Sequence, residues 1–348
     1  MPQSAPVTSA TAGDQSLPRP YLLFLGDVAE PAYAKTANGL RDWAGGHCVG
    51  EFGCGATVST GLPLMTPAQA RAAGARSMVI GVANPGGRIP PAWWPFLVQA
   101  LEAGLDLVGG MHARISDIAT LRQTAERCGC RLIDVREPPP GIQVANGRKR
   151  SGKRLLTVGT DCALGKKYTA LVLADQFARR GVGVDFRATG QTGILIAGRG
   201  MPMDAVVSDF AAGAAEELSP DADPAHWDVI EGQGSIFHPA YACVSLALLH
   251  GSQPDIVVVC HAPDREYVLG HPGFAMPTVE DTIELTLRLG SRTNPGIRCA
   301  GVSLDTSRLG EAEAARLMAV ESERLGCPVA DPVRGGEALQ RLVDACLQ

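Results

Sequence analysis

The chain has 348 residues, is 45% hydrophobic and 19% charged, and carries 41 Gly and 25 Pro, a composition that suits a globular protein of about two domains. Its net charge of -5 leaves no broad basic surface to displace counterions from a nucleic-acid backbone, so nucleic acid is excluded as an expected partner. No apolar run approaches the roughly 18 to 20 residues of a membrane span, and most of the ten cysteines sit inside apolar runs, as expected of buried thiols in a reducing compartment rather than of a disulfide framework. Together these place the protein in the cytoplasm, without a membrane.

Residues 1–19, rich in Ser, Thr, Ala and Pro, lack both the apolar core of a signal peptide and an Arg-rich amphipathic pattern, and read as a disordered lead-in. From residue 20 to 138, the short apolar runs "YLLFLG", "SMVIGVA", "DLVGG" and "RLIDVR" alternate with helical stretches near 66–74, 93–103 and 115–128. That alternation predicts an α/β domain with a mostly parallel sheet, Rossmann-like in arrangement. The domain has no G-x-G-x-x-G, so a nicotinamide cofactor is not supported. Trp93 and Trp94 are expected at a domain or subunit contact, and a homo-oligomer follows from that expectation. Cys128 and Cys130 form only a C-x-C with no second ligand pair, so no metal site is expected.

Residues 139–153, "PPGIQVANGRKRSGK", combine Pro, Gly and a basic cluster and read as a linker. The second domain, 154–348, opens with the strand "RLLTVGT" and alternates again through "VGVDFRAT", "WDVIEGQG", "DIVVVCHA", "CAGVSLDT" and "CPVADPV". Its first strand runs into "GTDCALGKKYTA", residues 159–170: Gly159, then Thr160, Asp161, Cys162, Ala163 and Leu164, then Gly165 and Lys166 at the start of a helix. This is a phosphate loop with a spacer one residue longer than G-x-x-x-x-G-K-[ST], and it resembles the loop of dethiobiotin synthetase. Glycines allow the turn, backbone amides and the helix N-terminus face an anion, and Lys166 adds charge. An ordinary Gly-containing βα turn is the competing reading. The fold class is therefore α/β, a Rossmann-like domain followed by a P-loop NTPase-like parallel-sheet domain.

One position departs from the pattern. Where Ser or Thr would ligate magnesium stands Lys167, which repels a cation, followed by Tyr168 and Thr169. Thr169 lies two positions on, about 200° around the helix, and is a poor substitute.

Other segments fall at strand ends, where ligand clefts of open α/β sheets form. "WDVIEGQGS" places Glu231 there, as a functional carboxylate or as one bonded to a Gly-rich turn. "RATGQTGILIAGRG" reads as a Gly-rich loop around Thr189, Gln191 and Thr192, flanked by Arg187 and Arg199. Ser208 or Asp209 is read as a helix N-cap. "CHAPDRE" carries His261, Asp264 and Arg265, and Arg265 could clamp a carboxylate or simply face solvent. "SLDT" (303–306) and "DPVR" (331–334) end the last two strands, as base-recognition segments do in nucleotide-binding proteins.

Taken in order, "GTDCALGKKYTA", "RATGQTGILIAGRG", "SDFAAGAAEEL" and "IEGQGS" resemble the DgcN-type family of D-glutamate N-acetyltransferases over nearly the whole chain after residue 20. The resemblance implies transfer of acetyl from acetyl-CoA to the amino group of D-glutamate, a step in D-amino-acid catabolism. Acyl transfer from CoA needs phosphate binding but no magnesium, which accounts for Lys167. On this basis the 159–169 loop grips CoA and Glu231 or His261 is the base. Backbone amides of 189–193 or 232–235 hold the oxyanion, and Arg187, Arg199 or Arg265, with Thr189, Gln191 and Thr192, hold the acceptor. An acetyl-cysteine on Cys162 is a further route. The alternative function is an ATP-dependent ligase or kinase of the dethiobiotin synthetase type.

Overall fold

A computed structural model describes residues 16–348, so the expected disorder of the lead-in falls largely outside the described residues. The chain forms two compact units, and residues 191–205 belong to the unit built mainly from the N-terminal part.

In the N-terminal unit, β1 (Tyr21–Phe24), α1 (Lys35–Ala44), β2 (Cys48–Phe52), α2 (Pro67–Ala72), β3 (Ser77–Ile80), α3 (Trp94–Glu102), β4 (Asp106–Gly109), α4 (Ala119–Cys128) and β5 (Leu132–Asp134) follow in order. The sheet has five parallel strands in the order β2-β1-β3-β4-β5. Strands β1 and β3 are buried along their whole length, which is why they read as unbroken apolar runs rather than alternating ones. Trp93 does not sit at an interface. It is buried in this unit's own core, edge-on to Phe24 with ring centroids 5.5 Å apart, and its Nε1 donates to Asp27 at 2.9 Å. The core claims it because its large apolar face gains most there while the indole N–H still finds an acceptor.

The C-terminal unit opens with β6 (Lys153–Gly159), α5 (Lys166–Arg179) and β7 (Val184–Arg187), after which the chain makes an excursion. The excursion is α6 (Gln191–Ala197), which lies in the N-terminal unit. The Gly-rich segment expected to be a loop is thus a helix. Its run Ile194–Ile196 is buried, Thr192 Oγ1 meets Thr36 Oγ1 at 3.2 Å, and the Tyr21 hydroxyl donates to Leu195 O. Burial of that apolar run outweighs the low helix propensity of Gly193.

The rest of the unit contains α7 (Ala211–Leu218), β8 (Trp227–Ile230), α8 (Ala242–Ser252), β9 (Ile256–His261), the short antiparallel pair β10 (Tyr267–Val268) and β11 (His271–Ala275), α9 (Val279–Gly290), β12 (Arg298–Leu304), α10 (Glu311–Leu325), β13 (Val329–Ala330) and α11 (Gly336–Leu347). Six parallel strands run in the order β13-β12-β9-β6-β8-β7. Neither Ser208 nor Asp209 caps α7: they lie in a 3-10 turn ahead of it, and the helix starts at Ala211 with no side-chain cap.

The segment expected as a linker, 139–153, packs within this unit. Arg150 is buried and donates to Ser219 O at 2.7 Å and Gly251 O at 2.7 Å, while Arg154 is fully buried among the carbonyls of Arg150, Ser151, Ser219 and Pro220. The basic cluster thus satisfies buried carbonyl groups rather than tethering two domains. A Cβ on Gly213 would come within 1.8 Å of Gln143 O, so the segment lies directly on α7. Gly213→Ala is expected to destabilise the unit by about 1–3 kcal/mol through this clash. Denaturant unfolding, together with faster proteolysis inside 139–153, is the check.

Candidate functional site

Strand order decides the site. Because β6 lies between β8 and β9, the loops leaving these three strands emerge side by side at the C-terminal edge of the sheet. They are the phosphate loop 160–165, the turn 231–235 and the segment 261–265.

The phosphate loop is shaped by two left-handed residues, Ala163 (φ 52°) and Gly165 (φ 83°), the second of which serves as the N-cap of α5. Glycine adopts this conformation without penalty and Ala163 does not, a local strain of the kind held by surrounding structure. That surrounding structure is Asp161. Its buried carboxylate accepts from Cys162 N at 2.6 Å through Oδ1, and from Arg265 and Leu269 N, both at 2.8 Å, through Oδ2. Arg265 also donates to Cys162 O at 2.8 Å and Ala163 O at 3.2 Å. Its guanidinium is therefore committed to the loop, and the expected carboxylate clamp is here a loop brace. Leu164 packs in a small apolar cluster with Cys260 and Ala262.

Lys166 opens α5, is buried, and donates from Nζ to Asp161 O at 2.7 Å. Burial lowers its pKa against the raising influence of Cys260, Cys162 and Asp161. The first-turn amides of α5 have no acceptor inside the helix, since Thr169 N is the donor that reaches Gly165 O at 2.8 Å. Lys167 lies over the Tyr168 ring at 4.4 Å. Thr169, expected with the ligand loop, points into the core: its Oγ1 is 2.8 Å from Ser303 Oγ and accepts from Cys260 Sγ at 3.5 Å.

The turn after β8 is stitched to this loop. Gly232 N donates to Thr157 Oγ1 at 2.9 Å, and a Cβ at Gly232 would lie 1.7 Å from Thr157 O, so only glycine allows this approach. Ser235 Oγ donates to Thr160 O at 3.0 Å. Glu231, 4% exposed, receives Thr189 N at 2.9 Å and Gly190 N at 3.1 Å, both on Oε2, while Oε1 accepts from no group among the described residues. Burial pushes its pKa up, opposed by those two amides and by the charges of Lys167 and Lys166. His261 ends β9 with Nδ1 3.0 Å from Thr160 Oγ1, and burial lowers its pKa, so the imidazole is neutral.

Among the remaining expected residues, Arg187 does not join this group. Arg187 reaches backward along the sheet to Asp228 Oδ1 at 2.7 Å and Asp185 Oδ2 at 3.0 Å; Asp228 stands two residues before Ile230, its own register partner, so the guanidinium points away from the C-terminal edge. Gln191, Thr192 and the exposed Arg199 belong to the N-terminal unit. Thr189 stays with Glu231, bonding Glu231 O at 2.7 Å and Gln233 Nε2 at 3.0 Å.

The sequence reading missed His238 and Gln233. His238 is buried, its Nδ1 accepts from Ala240 N at 3.0 Å, and its Nε2 has no hydrogen-bond partner and lies 3.8 Å from Asp161 Oδ1. A histidine before a proline looks like a turn residue, and nothing local signals this burial.

Compared with known proteins, residues 143–343 match a domain of unknown function, the DUF1611 C-terminal P-loop domain, and residues 50–138 match the DUF1611 N-terminal Rossmann-like domain. Two curated relatives are both named D-glutamate N-acetyltransferase. The one from Tritonibacter scottomollicae is 49% identical over 94% of this chain and 98% of its own length. The one from a Pseudoalteromonas species is 45% identical over 91% of this chain and 96% of its own. A solved DUF1611 family protein from Anabaena variabilis is similar at a TM-score of 0.82 and 31% identity, covering 94% of this chain and 99% of that one.

The raised pKa of Glu231 has a stability signature. The folded state holds this proton more tightly than the unfolded chain, so its contribution is full below the ordinary Glu value of about 4.3 and is lost as pH rises through the folded value. Glu231→Gln, which keeps an oxygen for Thr189 N and Gly190 N, is therefore expected to melt above the wild type at pH 8. The gap should close at pH 4, as followed by calorimetry.

Proposed function

The chain belongs to the DUF1611 family, and from that premise we propose that it transfers the acetyl group of acetyl-CoA to the amino group of D-glutamate, giving N-acetyl-D-glutamate and CoA. The observation that carries this reading is the 49% identity, over 94% of the chain, to a protein named for that activity. The geometry of the C-terminal unit is consistent with it in three respects.

First, the loop offers amides, a helix N-terminus and Lys166 for phosphate, but Thr169 is turned into the core and Lys167 stands where a magnesium ligand would be. A CoA pyrophosphate needs the former and not the latter. Second, Glu231 is a base held by one oxygen and open at the other, with a pKa moved toward the working range. It takes a proton from the substrate ammonium, and the free amine attacks the thioester carbonyl. The neighbouring His261, neutral, is the second candidate, its role set by which nitrogen faces Thr160. Third, within 232–235 the amide of Gly232 already donates to Thr157 Oγ1, and those of Gln233, Gly234 and Ser235 are the donors offered to a developing oxyanion. Collapse of the tetrahedral intermediate expels the CoA thiolate, which leaves protonated as the thiol.

Calorimetric titration is expected to show micromolar acetyl-CoA binding that is unchanged by magnesium and lost in Lys166→Ala. Magnesium-dependent ATP binding without CoA binding would instead establish a ligase or kinase. Glu231→Gln is expected to lower kcat by about 10²–10⁴ with KM for acetyl-CoA little affected. A loss confined to His261→Asn would move the base to His261.

A further inference from the structure

If the phosphate loop grips the pyrophosphate of CoA, the nucleoside end needs its own seat. The segments expected to recognise a base do not offer one. Thr306 donates from N and Oγ1 to Asp331 Oδ2, Val333 N donates to Asp331 Oδ1, and Arg334 donates to Thr306 Oγ1, Thr306 O and Leu309 O. These groups join the ends of β12 and β13 to each other, with both Asp331 oxygens engaged.

A second concave surface lies beside the loop. Pro263 and Asp264, just after β9, face α10 across an open cleft of about 370 Å³, within the range of small-molecule sites. Pro263, Leu309, Leu317 and Val320 give it an apolar lining, and Val320 is 54% exposed, unusual for a valine on a helix that has apolar neighbours to pack on. Arg316 lines the same cleft from α10, three residues after Glu313 and four before Val320, and makes no hydrogen bond or ion pair among the described residues. The other arginines around it are engaged: Arg308 holds Asp264 at 2.9 Å, and Arg324 holds Glu321 and Glu280. The cleft is also tied to the loop through the chain, because Arg265, adjacent to Asp264, is the side chain that braces Asp161, Cys162 and Ala163.

We propose that this cleft seats the adenosine 3'-phosphate end of acetyl-CoA, with the adenine against Pro263, Leu309, Leu317 and Val320 and the 3'-phosphate on Arg316. The proposal rests on the transferase reading above. An apolar slot suits a flat base, and an unpaired guanidinium at its rim is the group that recognises a phosphate dianion by paired N–H donors. Discrimination then arises remote from the thioester, as binding rather than chemistry.

The test compares acetyl-CoA with its 3'-dephospho analogue in wild type, Arg316→Ala, Arg316→Lys and Val320→Trp, all at exposed positions. The wild type is expected to favour acetyl-CoA about tenfold in kcat/KM. Arg316→Ala should raise KM for acetyl-CoA about tenfold and abolish that preference, with the effect on KM rather than kcat, and Arg316→Lys should restore part of it. Val320→Trp should raise KM for both compounds. Turnover that requires Lys166 but ignores the Arg316 and Val320 substitutions overturns the cleft and leaves the transferase standing. Absence of acetyl-CoA turnover in the wild type overturns the transferase reading, and the cleft assignment with it.

Discussion

The carboxylate of Asp161, with no exposed surface, is the constraint on which the C-terminal edge of the large sheet depends. An unpaired charge so placed would be prohibitively unfavourable, and three donors compensate it: the backbone amides of Cys162 and Leu269 and the guanidinium of Arg265. The carboxylate thereby draws three stretches of chain together: the loop after β6, the segment after β9, and the start of the β10–β11 hairpin at Leu269. Ala163 is held in its left-handed conformation by this frame, with Arg265 gripping the carbonyls on either side of its peptide link to Cys162.

A second constraint is close backbone approach. Gly232 lies against the carbonyl of Thr157, which brings the turn after β8 beside the phosphate loop and sets Glu231 at the end of its strand. The backbone of Thr189 and Gly190 then closes over one of its oxygens. A carboxylate so desolvated binds its proton more tightly, and two lysines at the head of α5 moderate that tendency. Acid–base capacity and anion binding are therefore coupled: phosphate bound at the lysines would offset their charge and raise the proton affinity of Glu231 further.

The departure from the usual phosphate-loop pattern has a structural side as well as a sequence one. Replacing a hydroxyl by Lys167 removes a metal ligand, but the neighbouring Thr169 remains in principle a substitute. The fold disposes of it by turning Thr169 onto Ser303 and Cys260 in the sheet beneath. A hydroxyl serves either the core or the ligand, and here the helical phase of α5 assigns it to the core.

Much of this was legible in the sequence. Alternating apolar runs and helical stretches determined two α/β units with parallel sheets, because burial on both faces demands continuous apolar strands. The phosphate loop was legible because its glycines, lysine and flanking strand are contiguous, and the position of Glu231 because the residue that leaves a strand is placed by the strand. Tertiary structure alone decided what long-range partners determine. It set Arg265 and Arg187 on internal carboxylates, folded 191–197 into a helix of the other unit, docked 139–153 through Arg150 and Gly213, and buried His238 beside Asp161. A guanidinium or an imidazole looks the same in sequence whether it meets a ligand or a carboxylate a hundred residues away. Its partner is chosen by strand order and packing, and those are properties of the whole fold.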